Sequence, residues 1–155
     1  MIMKIYAVID TNVIISALLS HYDDAATVQT IKRVISGDIV PIYNDDIINE
    51  YLTVLHRSKF NFSESLITDT IKVIIDFGIS TERLESSIVL PAPKDLVFYE
   101  VALSVDDSFL VTGNIKHFPK KPFIVTPAEL LRIMNELSSG DKRLLNEPSV
   151  PYGKL

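Results

Sequence analysis

"IYAVIDTNVIISALL", residues 5–19, is an apolar run broken once, at Asp10-Thr11-Asn12. Its first part is short, β-branched and aromatic, the pattern of a strand buried on both faces. Its second part is apolar again and suits a helix over about 13–20, with Thr11 or Asn12 available as cap. A carboxylate between the two admits two readings. Asp10 caps the helix, or it holds a metal ion at the end of a buried strand.

The chain around this stretch reads as globular. Its 155 residues are 47% hydrophobic and 23% charged, with only 5 Gly and 8 Pro, enough to bury a core in one domain over 1–140. No apolar run approaches the roughly 20 residues that cross a bilayer, so no membrane partner is expected. Zero cysteines exclude disulfides, iron–sulfur clusters and thiolate zinc sites, and agree with a cytoplasmic location. A net charge of −5 argues against a general nucleic-acid coat. It leaves room for a local basic strip, or for an acidic site that meets phosphate through cations.

Further along, Asp23-Asp24 opens a helical pattern (Ala26, Val28, Ile31, Val34, Ile35) that Gly37 stops. "DIVPIY" (38–43) reads as a strand, placed at an edge or irregular position by Pro41. Helices follow over 44–58, capped by Asn44 or Asp45, and over 63–78, with Ser63 as cap and Gly78 as stop. A weak strand is expected over 78–84, a helix near 95–105 and a core strand at "SFLV". A short strand then leads to a helix capped by Thr126 with Pro127 at its first position. Residues 141–155 read as a loosely ordered tail. Strands alternating with helices predict a parallel sheet sandwiched by helices, whose active crevice lies at the carboxyl ends of the strands.

Asp10 and Thr112-Gly113-Asn114 each follow a predicted core strand. Glu50 borders the apolar stripe Ile47, Tyr51, Val54, Leu55, and is read either as a glutamate reaching water or as part of a site. Asp95 opens its helix, a position that needs no function. Glu100 sits among Leu96, Val97, Phe98, Tyr99, Val101, Ala102 and Leu103, so it either finds a partner or titrates high. Clustered carboxylates need something positive between them. Mg²⁺ and Mn²⁺ take oxygen ligands and bind substrate phosphate, and two such ions about 4 Å apart serve phosphodiester cleavage. There is no P-loop, no G-x-G-x-x-G and no G-x-S-x-G, and His21, His56 and His117 lack metal-ligand spacing.

"VIDTNVIISALL", "NEYLTVL" and "PKDLVFYEVAL…SFLVTGNIKHFP" together resemble the PIN-domain family, in order from about residue 3 to 130. More narrowly they resemble its bacterial branch of toxins from toxin–antitoxin systems. The resemblance implies a three-layer α/β/α sandwich and a Mg²⁺- or Mn²⁺-dependent ribonuclease. By position it implies Asp10, Glu50 and Asp95 as metal carboxylates, with Asn12 and Thr112 supporting them. Glu100 follows the branch's pattern as ligand or support. Asn114 stands where many members carry a fourth aspartate, so the second metal position is expected to be weaker or filled only with substrate. Ala92 stands where relatives often carry an aspartate, a departure expected to affect the loop more than the chemistry. The expected chemistry is in-line attack on the scissile phosphate by an ion-activated water. Lys116, His117, Lys120 and Lys121 are candidate RNA contacts or a solvated basic loop. The implied partners are RNA, an antitoxin covering the acidic cleft, and a second copy in a homodimer. The alternatives are a housekeeping RNA-processing nuclease and a catalytically silent binding module of the same fold.

Overall fold

The structure is a computed structural model and describes residues 4–139. The expected tail over 141–155 lies outside the described residues. In chain order the elements are β1 (Ile5–Ile9), α1 (Thr11–Leu19), α2 (Ala26–Ile35), β2 (Ile39–Tyr43), α3 (Asp45–Leu55) and α4 (Glu64–Phe77). They continue with β3 (Ile79–Ser80), α5 (Leu96–Leu103), β4 (Phe109–Val111), β5 (Ile124–Val125) and α6 (Pro127–Ser138). Short 3-10 turns lie at Ser58–Phe60, Pro93–Asp95 and Ile115–His117.

The strands form one sheet in the order β3-β2-β1-β4-β5, and every pairing is parallel. With helices packed on it, this is the expected α/β sandwich. β1 lies at the centre, with Ala7, Val8 and Ile9 wholly buried, as its unbroken apolar sequence requires. From β1 the chain builds outward through β2 and β3, then returns to β1's other side for β4 and β5. The reversal makes the β1–β4 boundary a topological switch point, where open α/β sheets leave a crevice beyond the strand ends.

Local chemistry sets most boundaries. The side chains of Asn44, Ser63 and Thr126 cap α3, α4 and α6 by accepting from the backbone N–H groups of Ile47, Leu66 and Glu129. α2 closes in a Schellman motif: Gly37 (φ 87°) donates to Val34 and Asp38 donates to Arg33. Asp23 and Asp24 do not cap α2, whose N-cap is Ala25. α3 stops at Leu55, before the basic residues expected in its last turn.

One expectation is corrected. β2 is flanked on both sides, so it is not an edge strand. Pro41 is tolerated because β3 has two residues and joins β2 only at Ile42 and Tyr43, past the proline. Gly78 ends α4 as expected, in an extended conformation. It is needed for close approach, since a Cβ there would lie 2.4 Å from the Ile74 carbonyl and 2.5 Å from that of Pro41. Gly78→Ala must therefore shift backbone, at about 1–3 kcal/mol. Thermal unfolding is expected to show a midpoint several degrees lower. An unchanged midpoint would contradict this account of the α4–β2 contact.

Candidate active site

β1 delivers Asp10 to the switch point. Asp10 N–H donates to the Val111 carbonyl of β4, and the Asp10 carbonyl accepts from Val13 as α1 begins. Asp10 is thus the N-cap residue of α1, and its carboxylate makes no capping bond. The expectation that Thr11 or Asn12 caps a helix starting near 13 is corrected: both lie within the first turn. The Asp10 carboxylate is committed elsewhere. Its Oδ2 accepts from the Thr112 hydroxyl at 2.7 Å and from Asn12 Nδ2 at 3.0 Å.

These contacts weave two chain segments together. Asn12 Oδ1 accepts from Gly113 N–H at 2.9 Å, so one amide spans from the turn after β4 to Asp10. Thr112 Oγ1 also accepts from Asn114 N–H at 2.9 Å. Asn12 therefore orients the aspartate and the "TGN" turn together. A Cβ at Gly113 would lie 3.3 Å from Asn12 Oδ1, so the turn suits a residue without one.

Asp10 and Thr112 are buried. Burial pushes the Asp10 carboxyl up to about 6; the Thr112 hydroxyl opposes the shift and the charge of nearby Asp95 adds to it. Asp95 stands at the N-terminus of α5, also without a capping bond, and its side chain is mostly covered. Its Oδ2 lies 3.2 Å from His117 Nδ1. The fold thus brings Asp10, Asn12, Asp95, Thr112 and His117 to one place, from segments up to a hundred residues apart.

Glu50 lies on α3, and among the described residues it is not gathered with Asp10 and Asp95 in ligating range. The helix docks beside β1 through Tyr51, fully buried, whose hydroxyl donates to the Ile9 carbonyl just before Asp10. Burial and the Asp10 charge push the Tyr51 phenol up, so it stays a donor. Glu50 is half-buried, and its side chain makes no hydrogen bond or ion pair among the described residues. Asn114 is exposed and its side chain makes no capping bond. Lys116 and Lys120 are exposed and Lys121 half-buried on the same loop.

Glu100 is buried and committed to other partners. Its Oε1 accepts from Arg83 Nε at 2.8 Å and Nη2 at 2.6 Å, and its Oε2 accepts from Ser86 N–H at 2.6 Å and Oγ at 3.1 Å. Burial pushes its carboxyl up, but the Ser86 and Arg83 bonds outweigh it and the net shift is downward. Of the two expectations for Glu100, ligand or support, these contacts fit support, since both oxygens are engaged by Arg83 and Ser86. Its two oxygens pin the segment after β3 onto α5. Arg83 and Ser86 were missed because only the fold brings them to Glu100; the one sequence signal was that so apolar a helix needed a partner for its glutamate. Thr11 was also missed. Its Oγ1 is buried beside Asp10 with no hydrogen-bond partner among the described residues.

The sequence model of the PIN domain family matches residues 6–116, from β1 through the turn that follows β4. The chain belongs to the PIN domain family. No curated protein and no solved structure matches it significantly. This PIN domain therefore has a nuclease-type fold, of a family that typically uses divalent metals.

The donors fit a hard ion in a limited form. Among the described residues no three acidic or histidine side chains are gathered in ligating range. Mg²⁺, however, is usually bound through one or two carboxylates and several waters. The Asp10 carboxylate, stressed by burial and by the charge of nearby Asp95, and the orphaned Thr11 hydroxyl match that pattern.

Because Asp10 binds its proton more tightly folded (about 6) than unfolded (3.8), this group favours folding most below 3.8. That contribution is lost as pH rises through 6, a difference of about 3 kcal/mol. Without metal, Asp10→Asn is expected to stabilise the protein by up to about 3 kcal/mol at pH 8, with the gain vanishing toward pH 4. Urea denaturation at the two pH values checks this. Equal stabilities at pH 8 would contradict it.

Proposed function

We propose that this PIN domain is a metal-dependent endoribonuclease and the toxin of a type II toxin–antitoxin pair. The observation that carries the nuclease reading is Asp10, buried at the β1–β4 switch point with Asp95 beside it and two neutral donors fixing its orientation. PIN nucleases act on RNA. The toxin reading rests on the resemblance of the "VIDTNV" and "TGNIKHFP" motifs to the bacterial branch. Under it, an antitoxin presents a basic side chain to the carboxylates, and the protein acts in the cytoplasm, with a homodimer as the default assembly.

Asp10 and Asp95 would hold the principal Mg²⁺ or Mn²⁺, with Glu50 and Asn114 at its periphery. The ion, when bound, supplies positive charge against the scissile phosphate and acidifies a water. This chain's own residues do the rest. Thr112 and Asn12 donate to Asp10 Oδ2 and aim the carboxylate. His117 stands against Asp95 and restrains it. Lys116, Lys120 and Lys121 offer ammonium groups to the flanking phosphates, which position the strand without reading its sequence.

Cleavage of a mixed RNA pool in Mn²⁺ tests the reading. Asp10→Ala is expected to lose at least about a hundredfold, and Thr112→Val, which aims the ligand, about ten- to a hundredfold. Undiminished cleavage by Asp10→Ala would contradict the site. No cleavage by folded wild type across a broad RNA panel would favour a binding module. Expression is expected to arrest bacterial growth, with rescue by a neighbouring gene; free growth would favour housekeeping processing.

A further inference from the structure

A groove of about 610 Å³ leaves the candidate site along α1. One wall is α1 itself, from Thr11 and Asn12 through Ile15 and Ser16 to Leu19 and Ser20; Val54, Arg57 and Phe60 form the other. The groove therefore begins at Asn12, the residue that aims Asp10. From Asn12 to Ser20 it runs about 12 Å at 1.5 Å per helical residue, room for about three stacked nucleotides.

The far end is unusual for a protein of net charge −5. Arg33, Arg83 and Arg132 are each held in an ion pair, whereas the exposed Arg57 is in none among the described residues. Phe60 is stacked on Phe62 with centroids 5.5 Å apart and planes 11° apart. The Lys59 ammonium lies 5.1 Å from the Phe60 centroid. An unpaired guanidinium beside a braced aromatic ring and an exposed ammonium suits alternating phosphates and bases. Ile15, Leu19, Val54 and Phe60 make most of the lining apolar, a surface on which base faces can stack while Arg57 supplies the charge for phosphate.

We propose that this groove is a binding subsite for the single-stranded RNA flanking the scissile phosphate. Arg57 pairs with a backbone phosphate. Phe60 supports a base that displaces Lys59 from the ring, freeing its ammonium for the next phosphate. The subsite rests on the ribonuclease reading above and adds to it the path of the flanking strand along α1 and the residues, Arg57, Lys59 and Phe60, that hold it.

Fluorescence anisotropy with a fluorescein-labelled, mixed-sequence 12-nucleotide single-stranded RNA in EDTA tests it, because the groove's contribution is then read without metal. Arg57→Gln, at an exposed position, is expected to raise Kd about tenfold at low salt and to lower the salt slope by about one. Phe60→Leu is expected to raise Kd about tenfold with the slope unchanged. Wild-type Kd in both variants, with wild type still cleaving RNA, would overturn the subsite and leave the nuclease reading standing. Wild type that neither binds nor cleaves RNA, with EDTA or with Mg²⁺, would overturn both. Variants that keep the RNA Kd but lose a co-purifying protein partner would assign the groove to that protein and overturn the subsite.

Discussion

The Thr112 hydroxyl donates to Asp10 Oδ2 across 2.7 Å and joins the ends of two adjacent parallel strands where the order of the sheet reverses. Most of the site follows from that bond. It needs β1 and β4 in register, which Ile9 opposite Val111 provides, and it needs both strand ends sealed from water. A carboxylate left there is poorly solvated and holds its proton up to about 6. The fold tolerates it because neutral donors face it and because the rest of β1 is apolar. A cation at this point would relieve the stress that burial creates. The position in the sheet that burial stresses most is therefore the one on which the proposed site is built.

Charge is distributed to match. Among the described residues no lysine or arginine forms an ion pair with Asp10 or Asp95, and Arg83 is engaged by Glu100 and Asp46. Several cations outside any ion pair among the described residues lie on the flanking segments. Lys116, Lys120 and Lys121 follow β4 on one side, and Arg57 and Lys59 follow α3 on the other. Under the proposed function these flanks draw the polyanion and a metal ion screens it from the central carboxylates. This arrangement reconciles a negatively charged protein with a phosphodiester substrate.

The sheet was legible because its signals are local. An unbroken β-branched run, three side-chain caps and the Gly37 stop each decide a few residues on their own. Asp10, Asp95 and Thr112 were legible as residues following strands or opening helices. The errors have physical causes. Helix α1 starts two residues earlier than expected because Asp10 uses its backbone at the N-cap and reserves its carboxylate for Thr112, a partner 102 residues away. Pro41 pointed to an edge because a sequence shows a missing N–H but not how short the neighbouring strand is. The apolar helix around Glu100 did signal that it needs a partner, but the identity of that partner, Arg83, lies beyond the reach of any local pattern.

Mn²⁺ binding measured by calorimetry on wild type, Asp10→Asn and Glu100→Gln tests most directly whether the Thr112-aimed carboxylate is the metal anchor. Wild type is expected to bind the ion, more weakly as pH falls through about 6 because Asp10 must lose its proton. Asp10→Asn is expected to weaken binding more than about tenfold, and Glu100→Gln to leave it near the wild-type value. Retained affinity in Asp10→Asn, or an equal loss in Glu100→Gln, would contradict the account.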